Sequence, residues 1–168
     1  MIKGLHHNAY RCRDSEQTRA FYEGFLGLPL AGTLEINETK SGRKTDTLHT
    51  FYGLDDGSYL AFFEAPDMPF EFKPQHDYDL HIALEVDRAA LEAMLAKGRA
   101  SGIETRGVSH HGFIDSIYFR DPNGYVIELC AKRAGHDAEM DPTHNGARDK
   151  LQRWTVAKAA TGTTSVAS

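Results

Sequence analysis

Apolar positions in the first half of the chain predict one helix among four strands. Leu5 to Cys12 has the pattern of a strand. Asp14, with Gln17 three residues later, predicts a helix start before the helical run Ser15 to Phe25. Three further strands, divided by polar or glycine-rich turns, are predicted at Leu30 to Ile36, Thr47 to Tyr52 and Ser58 to Glu64. The first half therefore has the order β-α-β-β-β.

The second half repeats this order after a connector, 66–79, in which three prolines interrupt any regular pattern. The predicted elements are a strand at Leu80 to Val86, a helix at Arg88 to Ala100, and strands at Thr105 to Val108, Ser116 to Arg120 and Tyr125 to Ala131. The turn Asp121-Pro122-Asn123-Gly124 makes the last two strands a hairpin. The halves repeat in topology, with little repetition of sequence.

We therefore predict an α+β fold made of two paired βαβββ modules. One domain spans 1–131, with module one at 1–65, the connector at 66–79 and module two at 80–131. A C-terminal extension, 132–168, contains one predicted helix that ends at Ala159 and carries Leu151 and Trp154 on one side. Residues 162–168 are small and polar, which predicts disorder.

Composition narrows the classes of function. Hydrophobic residues form 40% and charged residues 26% of the 168 positions, which is typical of a globular protein. A net charge of -5 without a dense basic cluster argues against a nucleic-acid partner. No apolar run approaches the roughly 20 residues of a membrane span. We expect a cytoplasmic protein that acts on a small molecule, with Cys12 and Cys130 reduced and packed.

Two histidines and two glutamates occupy paired positions in the two halves. His7 and His81 lie near the start of each first strand, whereas Glu64 and Glu128 end each last strand. Equivalent positions converge if two curved sheets pack side by side. A glutamate inside an apolar strand is costly when it is buried without a partner, so a metal ion explains both. Alternation along a strand leaves open that either carboxylate faces solvent.

Imidazole and carboxylate ligands suit Fe(II), Mn(II), Ni(II), Co(II) or Zn(II). Three such ligands leave coordination positions open for a substrate and oxygen. Four suit a metal that acts as a Lewis acid on a carbonyl or an enediolate. The role of Glu64 therefore decides between the two mechanisms.

The chain resembles the vicinal oxygen chelate superfamily, which contains glyoxalase I, extradiol dioxygenases, fosfomycin-resistance enzymes and metal-free bleomycin-binding proteins. The motifs that carry the resemblance lie between Leu5 and Ala131: His7-Asn8-Ala9-Tyr10, Leu26-Gly27-Leu28, His81-Ile82-Ala83-Leu84-Glu85-Val86 and Tyr118-Phe119-Arg120-Asp121-Pro122-Asn123-Gly124 through Glu128-Leu129. The resemblance implies an open, cup-shaped sheet around a metal, commonly in a homodimer. It places His7, in preference to the adjacent His6, together with His81 and Glu128 at the metal-ligand positions. Glu64 falls where glyoxalase-type members have a fourth ligand.

Module two is most similar to the extradiol dioxygenases. A histidine precedes the strand that contains Tyr118, and Tyr118 lies ten residues before Glu128. The resemblance implies that His110 or His111 is an acid or base and that Tyr118 is a hydrogen-bond donor. The choice between the two histidines stays open, as does an exposed-loop role for both. His49 either lines the substrate pocket or faces outward.

The predicted function is that of an Fe(II)-dependent extradiol dioxygenase that opens a catechol ring with O₂. The alternatives are a glyoxalase-like lyase or isomerase and a binding protein without turnover. The sequence leaves open whether one subunit builds a whole site or two subunits share it.

Overall fold

The computed structural model describes residues 1–160 and contains two four-stranded sheets. The strand orders are β1-β4-β3-β2 and β5-β8-β7-β6, and the first strand of each sheet runs parallel to the last. Each sheet is therefore one βαβββ module, and the α+β prediction is confirmed. Within residues 1–160 no helix has the length and apolar character needed to cross a membrane.

Module one comprises β1 (Tyr10–Arg11), α1 (Ser15–Arg19), β2 (Leu30–Glu38), β3 (Lys44–Gly53) and β4 (Tyr59–Glu64). Helix α1 continues as a π-helical turn, Ala20–Phe25. The predicted cap is present, since the Asp14 carboxylate accepts a hydrogen bond from the Gln17 amide at 2.7 Å.

The first strand is shorter than the predicted Leu5 to Cys12. Only Tyr10–Arg11 forms a ladder with β4, and His7 makes an isolated bridge to Tyr59. Between them, Asn8 Oδ1 accepts a hydrogen bond from the Ala61 amide at 2.9 Å. A side-chain oxygen thus takes the place of a backbone carbonyl, and this interrupts the strand pairing.

Module two comprises β5 (His81–Glu85), α2 (Arg88–Ala100), β6 (Thr105–His110), β7 (Ile114–Arg120) and β8 (Val126–Lys132). The bounds of α2 match the prediction. Strand β6 extends further than predicted and ends at His110. His110 therefore ends a strand, whereas His111 lies in the loop that follows it.

The described part of the C-terminal extension, 132–160, contains two helices, α3 (His136–Met140) and α4 (Ala147–Ala160), of which only the second was predicted. No residue of α4 is buried, and the side chains of Leu151 and Trp154 are exposed. The predicted disorder at 162–168 lies outside the described residues.

The core lies between the helices and one face of each sheet. Its largest fully buried hydrophobic side chains come from both modules: Tyr22, Tyr52, Phe62, Leu91, Ile117, Phe119 and Ile127. Polar contacts join the modules at the turn before β8, where Asp121 accepts a hydrogen bond from Tyr22 at 3.0 Å and Asn123 accepts one from the Arg13 amide at 2.8 Å.

The other face of each sheet is open, and the strand register determines which residues lie on it. Paired residues share a face, and successive residues alternate between faces. His49 pairs with Phe63 and Phe51 with Ala61 on the open face of the first sheet. On the open face of the second sheet Tyr118 pairs with Glu128.

Candidate functional site

His81 and Glu128 face each other in a groove on the open face of the second sheet. His81 Nε2 lies 3.4 Å from Glu128 Oε2. The other ring nitrogen of His81, Nδ1, donates to the backbone carbonyl of Asp77 at 2.9 Å. Because a carbonyl only accepts, Nδ1 is the donor in this hydrogen bond, and Nε2 is the ring nitrogen that faces the carboxylate.

The His81–Glu128 pair fits two positions of a divalent-metal site. Atoms that bind one ion at about 2.1 Å lie within about 4 Å of each other, and the two facing atoms satisfy this condition. Glu128 is 6% exposed, and a buried carboxylate is costly unless a cation or strong donors compensate it. Anchoring of the second imidazole nitrogen by a backbone carbonyl is also typical of metal-binding histidines.

Tyr118 and His111 extend this site along the same groove. The Tyr118 hydroxyl donates to Glu128 Oε1 at 3.5 Å, and its oxygen lies 2.8 Å from His111 Nε2. The tautomer of His111 decides which of the two groups donates in the shorter contact. Burial and then the Glu128 carboxylate raise the pKa of Tyr118, so the phenol keeps its proton near neutral pH.

His110 is not part of this groove. Its pairing with Asp115 places it on the opposite face of the sheet, and His110 Nδ1 donates to Asp115 Oδ1 at 2.6 Å. Arg88 and Arg133 also bind this carboxylate. The hydrogen bond from His110, followed by that from Arg88, lowers the pKa of Asp115 to about 2. Of the two predicted histidines, the structure brings only His111 to Tyr118.

His7 lies on the open face of the first sheet, away from the His81–Glu128 pair. Its neighbours are His6, whose Nδ1 is 2.8 Å from His7 Nδ1, and the rings of Phe51 and His49 at 5.5 and 5.9 Å. Within residues 1–160 no group of three or more histidine, cysteine, aspartate or glutamate residues is arranged to hold a metal. In a single chain the predicted ligands therefore lie in two separate places, with His7 on the first sheet and His81 and Glu128 on the second.

Glu64 lies on the helix side of the first sheet, where its Oε2 accepts a hydrogen bond from the Ser15 amide at 2.7 Å, at the start of α1. The repeat explains this placement. His81 pairs with Val126, two residues before Glu128, whereas His7 pairs with Tyr59, two residues before Ala61. The counterpart of Glu128 is thus Ala61, and Glu64, three residues further on, faces the opposite side.

Two further side chains lie on the open faces. His49, for which the sequence left two orientations open, is on the open face of the first sheet and is 5% exposed. Arg106, which the sequence analysis missed, lies over the Tyr118 ring at 5.3 Å and donates to Asp77 at 2.6 Å. Nothing in the local sequence indicates this contact, because it joins a strand to the connector.

Comparisons with known proteins agree with the fold. A family model described as the Glyoxalase/Bleomycin resistance protein/Dioxygenase superfamily matches residues 4–129. Lactoylglutathione lyase of Neisseria meningitidis is 31% identical over 141 residues, which cover 80% of this chain and 94% of the relative. Metallothiol transferase FosB of Shouchella clausii is 26% identical over 157 residues, which cover 84% and 92%.

Among solved structures, a glyoxylase/bleomycin resistance protein/dioxygenase domain from Frankia sp. EAN1pec aligns with a TM-score of 0.64 at 17% identity, covering 79% of this chain and all of that domain. The fosfomycin resistance protein FosX of Listeria monocytogenes, complexed with Mn(II) and sulfate, aligns with a TM-score of 0.60 at 20% identity, covering 82% and 99%. The sequence matches and the shared fold agree that the chain belongs to the glyoxalase/bleomycin resistance protein/dioxygenase superfamily.

Proposed function

We propose that this protein is a metal-dependent lyase or group transferase that acts on a small substrate chelating the metal through oxygen. The observation that carries the proposal is the buried Glu128 carboxylate facing the oriented Nε2 of His81. A bound divalent ion supplies Lewis-acid chemistry, which stabilises negative charge on a substrate oxygen. The relatives named as a lactoylglutathione lyase and a metallothiol transferase support these reaction classes.

We further propose that the metal ligands are His7 of one subunit with His81 and Glu128 of a second. Each chain carries His7 on the open face of one sheet and the His81–Glu128 pair on the open face of the other. In a twofold dimer, the open face of the first sheet of each subunit can meet the open face of the second sheet of the other. Such a dimer has two equal sites, each with three protein ligands. Nitrogen and oxygen ligands suit Mn(II), Fe(II), Co(II), Ni(II) or Zn(II). Mn(II), present in the FosX complex, is the first ion to test.

Tyr118 and His111 are the proposed hydrogen-bonding residues of this site. The protonated Tyr118 hydroxyl donates to Glu128 in the protein alone and turns to donate to an oxygen of a bound substrate, while His111 holds the phenol in place. Ala61 occupies the position in module one that Glu128 occupies in module two, and its methyl group does not bind a metal. The proposed site therefore has three protein ligands. Glu64 caps α1 and is left out of the proposed site.

The Fe(II)-dependent dioxygenase expected from the sequence becomes the second candidate. The His111–Tyr118 contact at 2.8 Å favours it, since the resemblance to extradiol enzymes depends on those two residues. The named relatives favour the lyase or transferase instead. Substrate preference separates the two candidates.

The first test is metal content by mass spectrometry and metal affinity by calorimetry for the wild type, His81→Ala and Glu128→Ala, with Glu64→Gln as the matched control. We expect both site variants to lose most of their Mn(II) affinity, because removal of a ligand leaves two, while Glu64→Gln retains wild-type affinity. Equal binding by all four proteins would reject the site.

The second test compares turnover of the Mn(II) protein with the hemithioacetal precursor of S-lactoylglutathione and with fosfomycin plus a thiol. The Fe(II) protein is assayed in parallel with catechols and O₂. Turnover of either of the first two supports the proposal. Catechol cleavage without turnover of the others would establish the dioxygenase in its place.

A further inference from the structure

His49 is a buried imidazole with only one of its two nitrogens engaged. Its Nδ1 lies 2.9 Å from the Phe62 carbonyl, and its ring stacks on Phe63 with centroids 3.6 Å apart and planes 10° apart. The Phe51 ring lies 4.1 Å away. Backbone and aromatic contacts therefore fix the position and the plane of the ring.

The backbone contact also fixes which nitrogen carries the proton. A carbonyl oxygen only accepts, so Nδ1 is the N–H donor, and in a neutral imidazole Nε2 then has a lone pair. Among residues 1–160, no atom forms a hydrogen bond with Nε2. His49 thus presents an unused acceptor on the open face.

The location of this acceptor connects it to the proposed metal site. His49 and His7 lie on the same face of the first sheet with ring centroids 5.9 Å apart. Nε2 is also not sealed from solvent, in contrast to the unpartnered hydroxyls of Thr50 and Tyr52, which are fully buried. A donor group of a molecule bound beside His7 therefore comes within reach of Nε2.

We propose that His49 is a substrate-contacting residue whose Nε2 accepts a hydrogen bond from the hydroxyl, thiol or water that reacts beside His7. This inference rests on the proposed function, because it places His49 against whatever the metal site binds. It adds a contact from module one to a site whose other hydrogen-bonding residues, His111 and Tyr118, come from module two. The substrate thereby has an acceptor on one side and a donor on the other.

If His49 only packs against its aromatic neighbours, replacing it with another aromatic residue should leave substrate binding unchanged. His49→Phe keeps an aromatic ring that stacks on Phe63 and removes the Nε2 acceptor, together with the Nδ1–H donor to the Phe62 carbonyl. His144→Phe is the matched control, because this exposed histidine contacts only Asp141 and Thr143 in the C-terminal extension.

The first measurement uses long-range ¹H–¹⁵N NMR of the imidazoles in the metal-free protein and then in the Zn(II) protein titrated with acetohydroxamate. This probe chelates through two oxygens and carries an N–H donor. We expect the His49 signals of an Nδ1–H tautomer in the metal-free protein and a shift of the Nε2 resonance that saturates with the probe. An Nε2–H tautomer, or an unmoved Nε2 resonance at saturation, would overturn the proposal.

The second measurement is calorimetric affinity for Zn(II) and then for acetohydroxamate. His49→Phe should bind Zn(II) as the wild type does and the probe roughly threefold to tenfold more weakly, as loss of one hydrogen bond predicts. His144→Phe should match the wild type in both. Probe affinity equal to that of the wild type would reject the contact. Loss of Zn(II) from His49→Phe would show a ligand in place of a substrate contact.

The two proposals fail in distinguishable ways. If the wild type binds no divalent metal, or if His81→Ala binds it equally well, the proposed function fails. If metal and probe bind to the wild type and depend on His81 while His49→Phe is unchanged, only the role of His49 is rejected.

Discussion

Adjacent residues of this chain have different roles because a strand directs successive side chains to opposite faces. His110 binds Asp115 on the helix side of the second sheet, while His111, just past the strand end, contacts Tyr118 on the open side. The same alternation separates Glu64 from Ala61. Residue type alone did not distinguish these positions, because the face on which each side chain lies depends on the register of its strand against the neighbouring strand.

The cluster around Asp115 predicts a pH dependence of stability. His110 and then Arg88 hold the folded-state pKa at about 2, below the ordinary value of 3.8. The carboxylate therefore stabilises the fold above about pH 4, and this contribution is lost as pH falls towards 2. Thermal unfolding followed by circular dichroism should show a steeper loss of Tm over this interval for the wild type than for Asp115→Asn.

Asp46→Asn is the control for this comparison, since Asp46 is exposed and lies in the other module. The control should follow the wild-type curve. Parallel curves for the wild type and Asp115→Asn would show that the cluster contributes nothing to the acid sensitivity.

At the scale of elements, helix α2 packs close to the second sheet because Gly98, which faces the sheet, has no side chain. A Cβ at Gly98 would lie 2.5 Å from both Phe119 Cε1 and Thr105 Oγ1. Phe119 is fully buried in the core, so its ring has little room to move. The helix–sheet distance therefore depends on this glycine.

Gly98→Ala should destabilise the protein. The strain of overpacking, about 1–3 kcal/mol, outweighs the gain in helix propensity, which is about 1 kcal/mol at most. Gly24→Ala is the matched control, because no atom lies within 4 Å of the added carbon. Urea unfolding should show a lower midpoint for Gly98→Ala and an equal or higher one for Gly24→Ala. The same midpoint for both variants would contradict the close contact.

For the whole molecule, the distribution of the candidate ligands predicts an assembly. His7 is exposed on one sheet and His81 is exposed on the other, and in residues 1–160 neither belongs to a complete metal site. A twofold dimer that pairs the first sheet of each subunit with the second sheet of the other covers His7 and His81 and completes two sites. The exposed helix α4 has no assigned role in this assembly.

A complementation experiment tests the shared site. Chains carrying His7→Ala and His81→Ala, coexpressed with different tags and purified as the mixed dimer, should hold about half of the wild-type metal, because one site of each mixed dimer keeps all three ligands. Each variant alone should hold none.

The control is the mixed dimer of His81→Ala with Glu128→Ala. Its two sites each lack one ligand, so it should remain empty. No recovery in the first mixed dimer, with both dimers forming normally, would show that each chain builds a whole site.

The sequence by itself determined the repeated βαβββ order, the bounds of α2 and the family, because these depend on local periodicity, capping and motif spacing. It also supplied the candidate site residues. Only the tertiary structure decided which of them meet. Asn8 interrupts the first strand, the register turns Glu64 and His110 to the helix side, and Asp77 of the connector orients His81. These outcomes depend on pairings between distant segments, which no local pattern encodes.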